Sequence, residues 1–155
     1  MSLVDVHSAT SGGGGGQDRE HWSLPRHAID HPFGRRILIA EDNWLIALEW
    51  QAALEAAGYE VFGPAVSAEE AIAICEGERP DIVLMDIRLL GNSDGVEAAI
   101  QIRSRLQIPT IFVSAHDDPQ TRERASAAQP VGWITKPVVA TRLPGMISQM
   151  KFGGV

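Results

Sequence analysis

Five residues of this sequence carry groups able to do chemistry and stand at comparable places. Glu41 and Asp42 follow the apolar run Ile37-Leu38-Ile39-Ala40, Asp86 follows Ile82-Val83-Leu84-Met85, Ser114 ends Thr110-Ile111-Phe112-Val113, and Lys136 follows Gly132-Trp133-Ile134-Thr135. Taken singly, each has an ordinary explanation. An Asp at the end of a strand is usually a turn former or helix cap, a lone Ser says little, and a Lys before a Pro is most often solvated. Convergence changes this. Three carboxylates brought together repel one another and shift toward protonation unless a cation neutralises them. Mg²⁺ suits that task, because it takes oxygen ligands and keeps several waters and phosphate oxygens when only one or two carboxylates bind it directly. Lys136 would add a second, fixed positive charge. Such a site suits a doubly charged anion beside a metal, hence phosphoryl transfer, where catalysis is largely positioning and charge neutralisation.

The elements that must bring these residues together are legible as alternation. From Arg36 onward, short apolar runs alternate with helical patterns five times, the signature of a parallel sheet covered by helices on both faces. After Glu41-Asp42, Ile46, Trp50, Ala53, Leu54 and Ala57 recur at helical spacing, and Gly58 supplies the stop. Tyr59 to Phe62 is a second, weaker strand. Ser67 with Glu70 predicts a capping box that opens a helix through Ala71, Ile72 and Cys75. Asp81 to Asp86 has the continuous apolar middle of a central parallel strand, and Val96, Ala99, Ile100, Ile102 and Leu106 mark a third helix. The fourth helix, about Pro119 to Ala128 with Pro at its first position, has almost no large apolar residue, which predicts either loose packing, the commoner case, or presentation to a partner. A last helix runs from Thr141 to Met150, where Pro144 fits only in the first turn. In open parallel sheets, ligands bind beyond the carboxyl ends of the strands, which is where the five residues lie.

Composition limits the alternatives. The chain has 155 residues, 45% apolar and 21% charged, with a formal net charge of -7. One domain is the expectation. No run approaches the roughly 18 apolar residues of a membrane span, so no membrane association is expected. The acidic balance disfavours direct nucleic-acid binding, which needs a dense Lys/Arg face. A single cysteine, Cys75, makes no internal disulfide, and the cytoplasm is the default compartment. Residues 1–34 read as a flexible, glycine-rich leader and 152–155 as a tail, leaving 35–151 as the domain. The run Gly12 to Gly16 lacks the Gly-Lys-Ser/Thr of a phosphate loop, and His21, His27 and His31 match no standard metal spacing, so they are taken as solvated.

Together, Glu41-Asp42 after Ile-Leu-Ile-Ala, Leu-Met-Asp86-Ile-Arg, Asp94-Gly95, Ser114-Ala115 and Lys136-Pro137 resemble the receiver domain of response regulators in two-component signalling, from about Arg36 to Met150. The spacing between these motifs is close to the family's. The resemblance implies a flavodoxin-like, doubly wound α/β fold, with a five-stranded parallel sheet of order 2-1-3-4-5 and five helices. It further implies Asp86 as phosphoryl acceptor, and Mg²⁺ held by Asp42, Asp86 and the backbone carbonyl of Arg88, with Glu41 acting largely through water. Ser114 and Lys136 would contact phosphoryl oxygens, and the Lys136-Pro137 bond would be cis. Trp133 stands where the family usually has a Tyr or Phe that switches rotamer; plain packing is an equal expectation for the bulkier indole. Arg88 and His116 occupy positions that tune the lifetime of the acyl phosphate in the family.

By the same resemblance the partners are a sensor histidine kinase or phosphotransfer protein and a downstream protein. The face of helix 4, strand 5 and helix 5 is the expected contact surface, and a homodimer through it is a further expectation. With only a short stretch after Lys136, the expectation is a stand-alone receiver without an output domain, a module that catalyses its own phosphorylation and dephosphorylation rather than an enzyme. Three other readings compete. A metal-dependent phosphohydrolase with an Asp nucleophile would want a second Asp where Arg88 stands. A pseudo-receiver that serves only for docking is disfavoured by five competent site residues. A flavodoxin-like cofactor binder would want Ser, Thr or Gly where Glu41-Asp42-Asn43 would repel a phosphate.

Overall fold

The computed structural model describes residues 30–151. The expected leader and tail otherwise lie outside the described residues, as do Gly12 to Gly16, His21 and His27. The strands are β1 Arg36–Ala40, β2 Glu60–Ala65, β3 Ile82–Met85, β4 Thr110–Ser114 and β5 Gly132–Thr135. All pair in parallel, in the expected order β2-β1-β3-β4-β5. Five helices join them: α1 Trp44–Ala56, α2 Ala68–Glu78, α3 Gly95–Leu106, α4 Pro119–Ala125 and α5 Leu143–Ser148.

Alternation along the strands divides the core in two. Ile37, Ile39, Ile82, Leu84, Ile111 and Val113 face one layer, where α1 and α5 supply Trp50, Leu54, Leu143 and Ile147. Leu38, Ala40, Val83, Met85 and Phe112 face the other, covered by Ala71 and Cys75 of α2 and by Val96, Ala99 and Ile102 of α3. Because both faces are covered, the central strands are apolar throughout rather than alternating with polar residues.

The helix starts follow from short polar side chains, each cap being worth about 1 kcal/mol. Asn43 accepts from Leu45 N and Ile46 N, Asp94 from Glu97 N, and Asp118 from Thr121 N. Ser67 Oγ accepts from Glu70 N at 3.1 Å, but the Glu70 carboxylate reaches back to Val66 N rather than to Ser67, so only half of the expected capping box forms.

Four sequence expectations shift. Strand β2 runs on through Gly63-Pro64 to Ala65, with an irregular register opposite Leu38 to Ala40, because an edge strand tolerates a Pro that a central one would not. The last helix is shorter than expected: a 3₁₀ turn, Ala140–Arg142, precedes α5, with Pro144 in its first turn as expected. The fourth helix tightens into a 3₁₀ turn over Ser126–Ala128. His31 is packed rather than solvated, since its Nε2 donates to the Ala57 carbonyl at 2.9 Å and its ring meets Tyr59 edge-on at 4.5 Å. Nearby, Phe33 is buried, so His31 and Phe33 both pack on the domain.

Candidate functional site at the carboxyl end of the sheet

The backbone ladder carries on one residue past the strands and pins the site. Glu41 N donates to Ala65 O at 2.9 Å, Asp86 N to Ala40 O at 2.9 Å, and Lys136 N to Ser114 O at 3.0 Å. The side-chain alternation carries on as well. Glu41 continues Ile37-Ile39 and Asp86 continues Ile82-Leu84, so both follow the layer of α1 and α5. Lys136 bridges them, with Nζ 2.6 Å from Glu41 Oε2 and 2.8 Å from Asp86 Oδ2. The Lys136-Pro137 bond is cis.

Glu41 and Asp86 are buried and Asp42 is exposed. One carboxylate oxygen from each of the three lies within 4.8 Å of the others, the one group of this kind among the described residues. Hard oxygen donors of this number and spacing fit Mg²⁺. Burial pushes the Glu41 carboxyl up to about 7; the charge of Asp86 adds to this and the hydrogen bond from Lys136 opposes it. For Lys136, burial disfavours the ammonium, but hydrogen bonds to Asp86 and Glu41 outweigh it and hold the pKa above the ordinary lysine value.

The other expected site residues divide. Ser114 is fully buried at the same end of the sheet, and its Oγ accepts from His116 N at 3.1 Å. His116 therefore contributes its backbone, and its ring is half-buried. Arg88 directs its backbone N–H toward Asp86 Oδ1 at 3.4 Å and leaves its side chain exposed. Trp133 does not join the acidic group. Its ring packs on Phe112 at 5.1 Å between centroids and beneath the Arg122 guanidinium at 4.4 Å, and its buried Nε1 has no hydrogen-bond partner.

Two features escape a reading of sequence alone. Trp50 looks like any core residue of an amphipathic helix, yet its ring lies 5.5 Å from Lys136 Nζ, within range of a cation–π contact. It also lines, with Ile46, Glu49, Ala115, Lys136, Pro137 and Val138, an open cavity of about 450 Å³ beside the site. The second is an ion pair between Arg124 of α4 and Asp94, residues 30 apart in the chain, which no local pattern reveals.

Known proteins resemble both the sequence and the fold. The response regulator receiver domain family matches residues 37–148. The chain is 34% identical over 113 residues to the transcriptional regulatory protein PdtaR of Mycobacterium tuberculosis, covering 73% of this chain and 55% of that protein. It is 34% identical over 117 residues to the phyllosphere-induced regulator PhyR of Methylorubrum extorquens, covering 75% and 43%. The chain thus spans about half the length of these curated relatives. Among solved structures, a CheY-like receiver domain protein from Methanospirillum hungatei superposes with a TM-score of 0.67 at 30% identity, over 73% of this chain and 90% of that one. The signal receiver domain of a modulated diguanylate cyclase from Desulfovibrio desulfuricans gives 0.64 at 40% identity, over 69% and 85%. Among the described residues, no helix is long and apolar enough to cross a membrane. With motifs, strand order and extended matches in agreement, the chain belongs to the response regulator receiver family of two-component systems.

Proposed function

We propose that this receiver is a cytoplasmic phosphoacceptor module that takes a phosphoryl group onto Asp86 from a phosphohistidine of a sensor histidine kinase or phosphotransfer protein. The observation that carries this reading is Lys136 Nζ placed between Glu41 and Asp86, at 2.6 and 2.8 Å, in a three-carboxylate group. A carboxylate oxygen of Asp86 attacks phosphorus while the phosphorus–nitrogen bond breaks. Its electron pair stays on the imidazole, and the product at Asp86 is a mixed anhydride. Glu41, Asp42 and Asp86, with the Arg88 carbonyl, would hold Mg²⁺, which when bound neutralises the carboxylates and the incoming phosphoryl charge. Lys136 already stands against the acceptor carboxylate and can follow the new dianion, and Ser114 Oγ can donate to one of its oxygens. Later attack of water on phosphorus regenerates Asp86, with Arg88 and His116 bordering the approach.

Exposed apolar side chains support a place for partners. Trp44, Leu45 and Leu48 are 68%, 54% and 52% exposed on α1, next to Asp42, and the donor protein docks there in this reading. The downstream protein takes the face of α4, β5 and α5, where Arg122, Trp133 and Met150 line a groove of about 390 Å³. A second copy of the chain on that face is the corresponding homodimer, which sedimentation with and without the label tests.

The direct test is incubation with acetyl phosphate and Mg²⁺ followed by intact-mass measurement. The expected result is a gain of one phosphoryl group that disappears with a chelator. The rate should fall by roughly 10²–10³ in Lys136→Met, as when one preorganised charge donor is removed. A chain that stays unlabelled under these conditions contradicts the reading and favours a docking-only receiver, and steady turnover of p-nitrophenyl phosphate favours a hydrolase.

A further inference from the structure

Helix α4 has little apolar anchorage, since of its seven residues only Ala125 is buried. Its two arginines tie it to the loops around the site instead. Arg122 pairs with Asp117, which also accepts from Thr135 Oγ1 at 3.0 Å, and lies over Trp133. Arg124 reaches the other way, to the loop between β3 and α3, where Nη1 and Nη2 donate to the two oxygens of Asp94 at 3.2 and 2.6 Å. Most exposed ion pairs contribute little, but a guanidinium fork on a carboxylate is the geometry in which they matter. Burial pushes the Asp94 carboxyl up; the Arg124 fork and the Glu97 N–H outweigh it and hold the pKa below the ordinary value.

Asp94 is in turn fixed against the backbone of Asp86. It caps α3 by accepting from Glu97 N at 3.0 Å, and the next residue, Gly95, donates its N–H to Ile87 O at 2.7 Å. Gly95 sits so close to the acceptor's peptide that a Cβ there would lie 1.9 Å from Asp86 O. Displacement of Asp94 therefore passes to the peptide that carries Asp86. We propose that Arg124 is a positioning residue that holds the Asp86 backbone in register with α4 through Asp94 and Gly95. Its consequence for phosphoryl acceptance rests on the function proposed above; the mechanical link does not.

Three substitutions test this. Asp94→Asn removes the charge and keeps a good cap for α3, Arg124→Gln removes the charge from the other side, and Arg124→Lys keeps charge without the fork. Hydrogen exchange of the unlabelled chain at the Gly95 amide should quicken roughly threefold to tenfold in the first two, with an intermediate effect in Arg124→Lys. The double variant should be no faster than the faster single one, because both act through one contact. Labelling of Asp86 by acetyl phosphate should change by a common factor in the same variants. Arg105→Gln, which removes the exposed pair with Glu76 on α2, should leave both readouts at parent values. Parent-like Gly95 exchange in Asp94→Asn and Arg124→Gln, or effects that multiply in the double variant, would overturn the proposal. A parent that takes no label while Gly95 responds as expected supports the link and contradicts the acceptor reading alone.

Discussion

At the scale of residues, burial sets the chemistry of the titratable groups. The single tyrosine, Tyr59, shows it outside the site: its hydroxyl is buried without a hydrogen-bond partner, and burial pushes its pKa up to about 12 from an ordinary 10. The folded state therefore holds the neutral phenol more tightly than the unfolded chain does. That contribution to stability is intact below pH 10 and is lost as the pH rises through about 12. Absorbance titration near 295 nm of the folded chain should show the phenolate forming well above pH 10, and formation centred on 10 would contradict the burial. Within the site the same desolvation acts on Glu41 and Lys136, and there the groups compensate one another: one ammonium serves two buried carboxylates. Breaking such a buried pair is costly because the remaining charge is stranded.

At the scale of elements, the strands present the site and the loops lock it. The tightest lock is Gly95, where an added Cβ would lie 1.9 Å from the Asp86 carbonyl oxygen. Gly95→Ala should lower stability by about 1–3 kcal/mol, as overpacking does. It should be seen as a lower denaturant midpoint with an unchanged slope; a parent-like midpoint would show that the loop yields at little cost. Much of this architecture is legible in the sequence, for reasons that differ by element. Ile37 to Ala40 and Ile82 to Met85 are buried on both faces, so composition alone marks them as central strands. Glu41, Asp42, Asp86 and Lys136 are legible because a parallel sheet gathers the residues just past its strand ends along one edge. Strand β2 reads shorter than it is because Pro64 normally ends a strand, and only its place at the sheet edge lets it continue. The contacts of Trp50 with Lys136 and of Arg124 with Asp94 leave no sequence signal because they depend on tertiary approach, not on local spacing. His31 and Phe33 read as part of the preceding polar stretch because two packed rings leave no periodic pattern.

Across the described domain as a whole, two apolar layers enclose one sheet, and Cys75 is buried within one of them. Burial, with a smaller contribution from Glu76, pushes its thiol up to about 12. A thiol reagent at pH 8 should therefore leave the folded chain unmodified and react fully once denaturant opens the layer. Rapid reaction in native buffer would mean that α2 separates from the sheet on its own. The net charge of -7 has a partial address in Glu41, Asp42 and Asp86, gathered at one end of the sheet. In the function proposed here, this end of the sheet accepts a phosphoryl group on Asp86. Borohydride reduction of the acetyl-phosphate-labelled chain, followed by peptide mapping, tests it most directly, because hydride converts an acyl phosphate to an alcohol at the residue that carried it. The reduced side chain is expected at position 86, dependent on Mg²⁺ during labelling, with no reduced residue in Asp86→Asn. Reduction at another carboxylate, or a label that persists in Asp86→Asn, would contradict it.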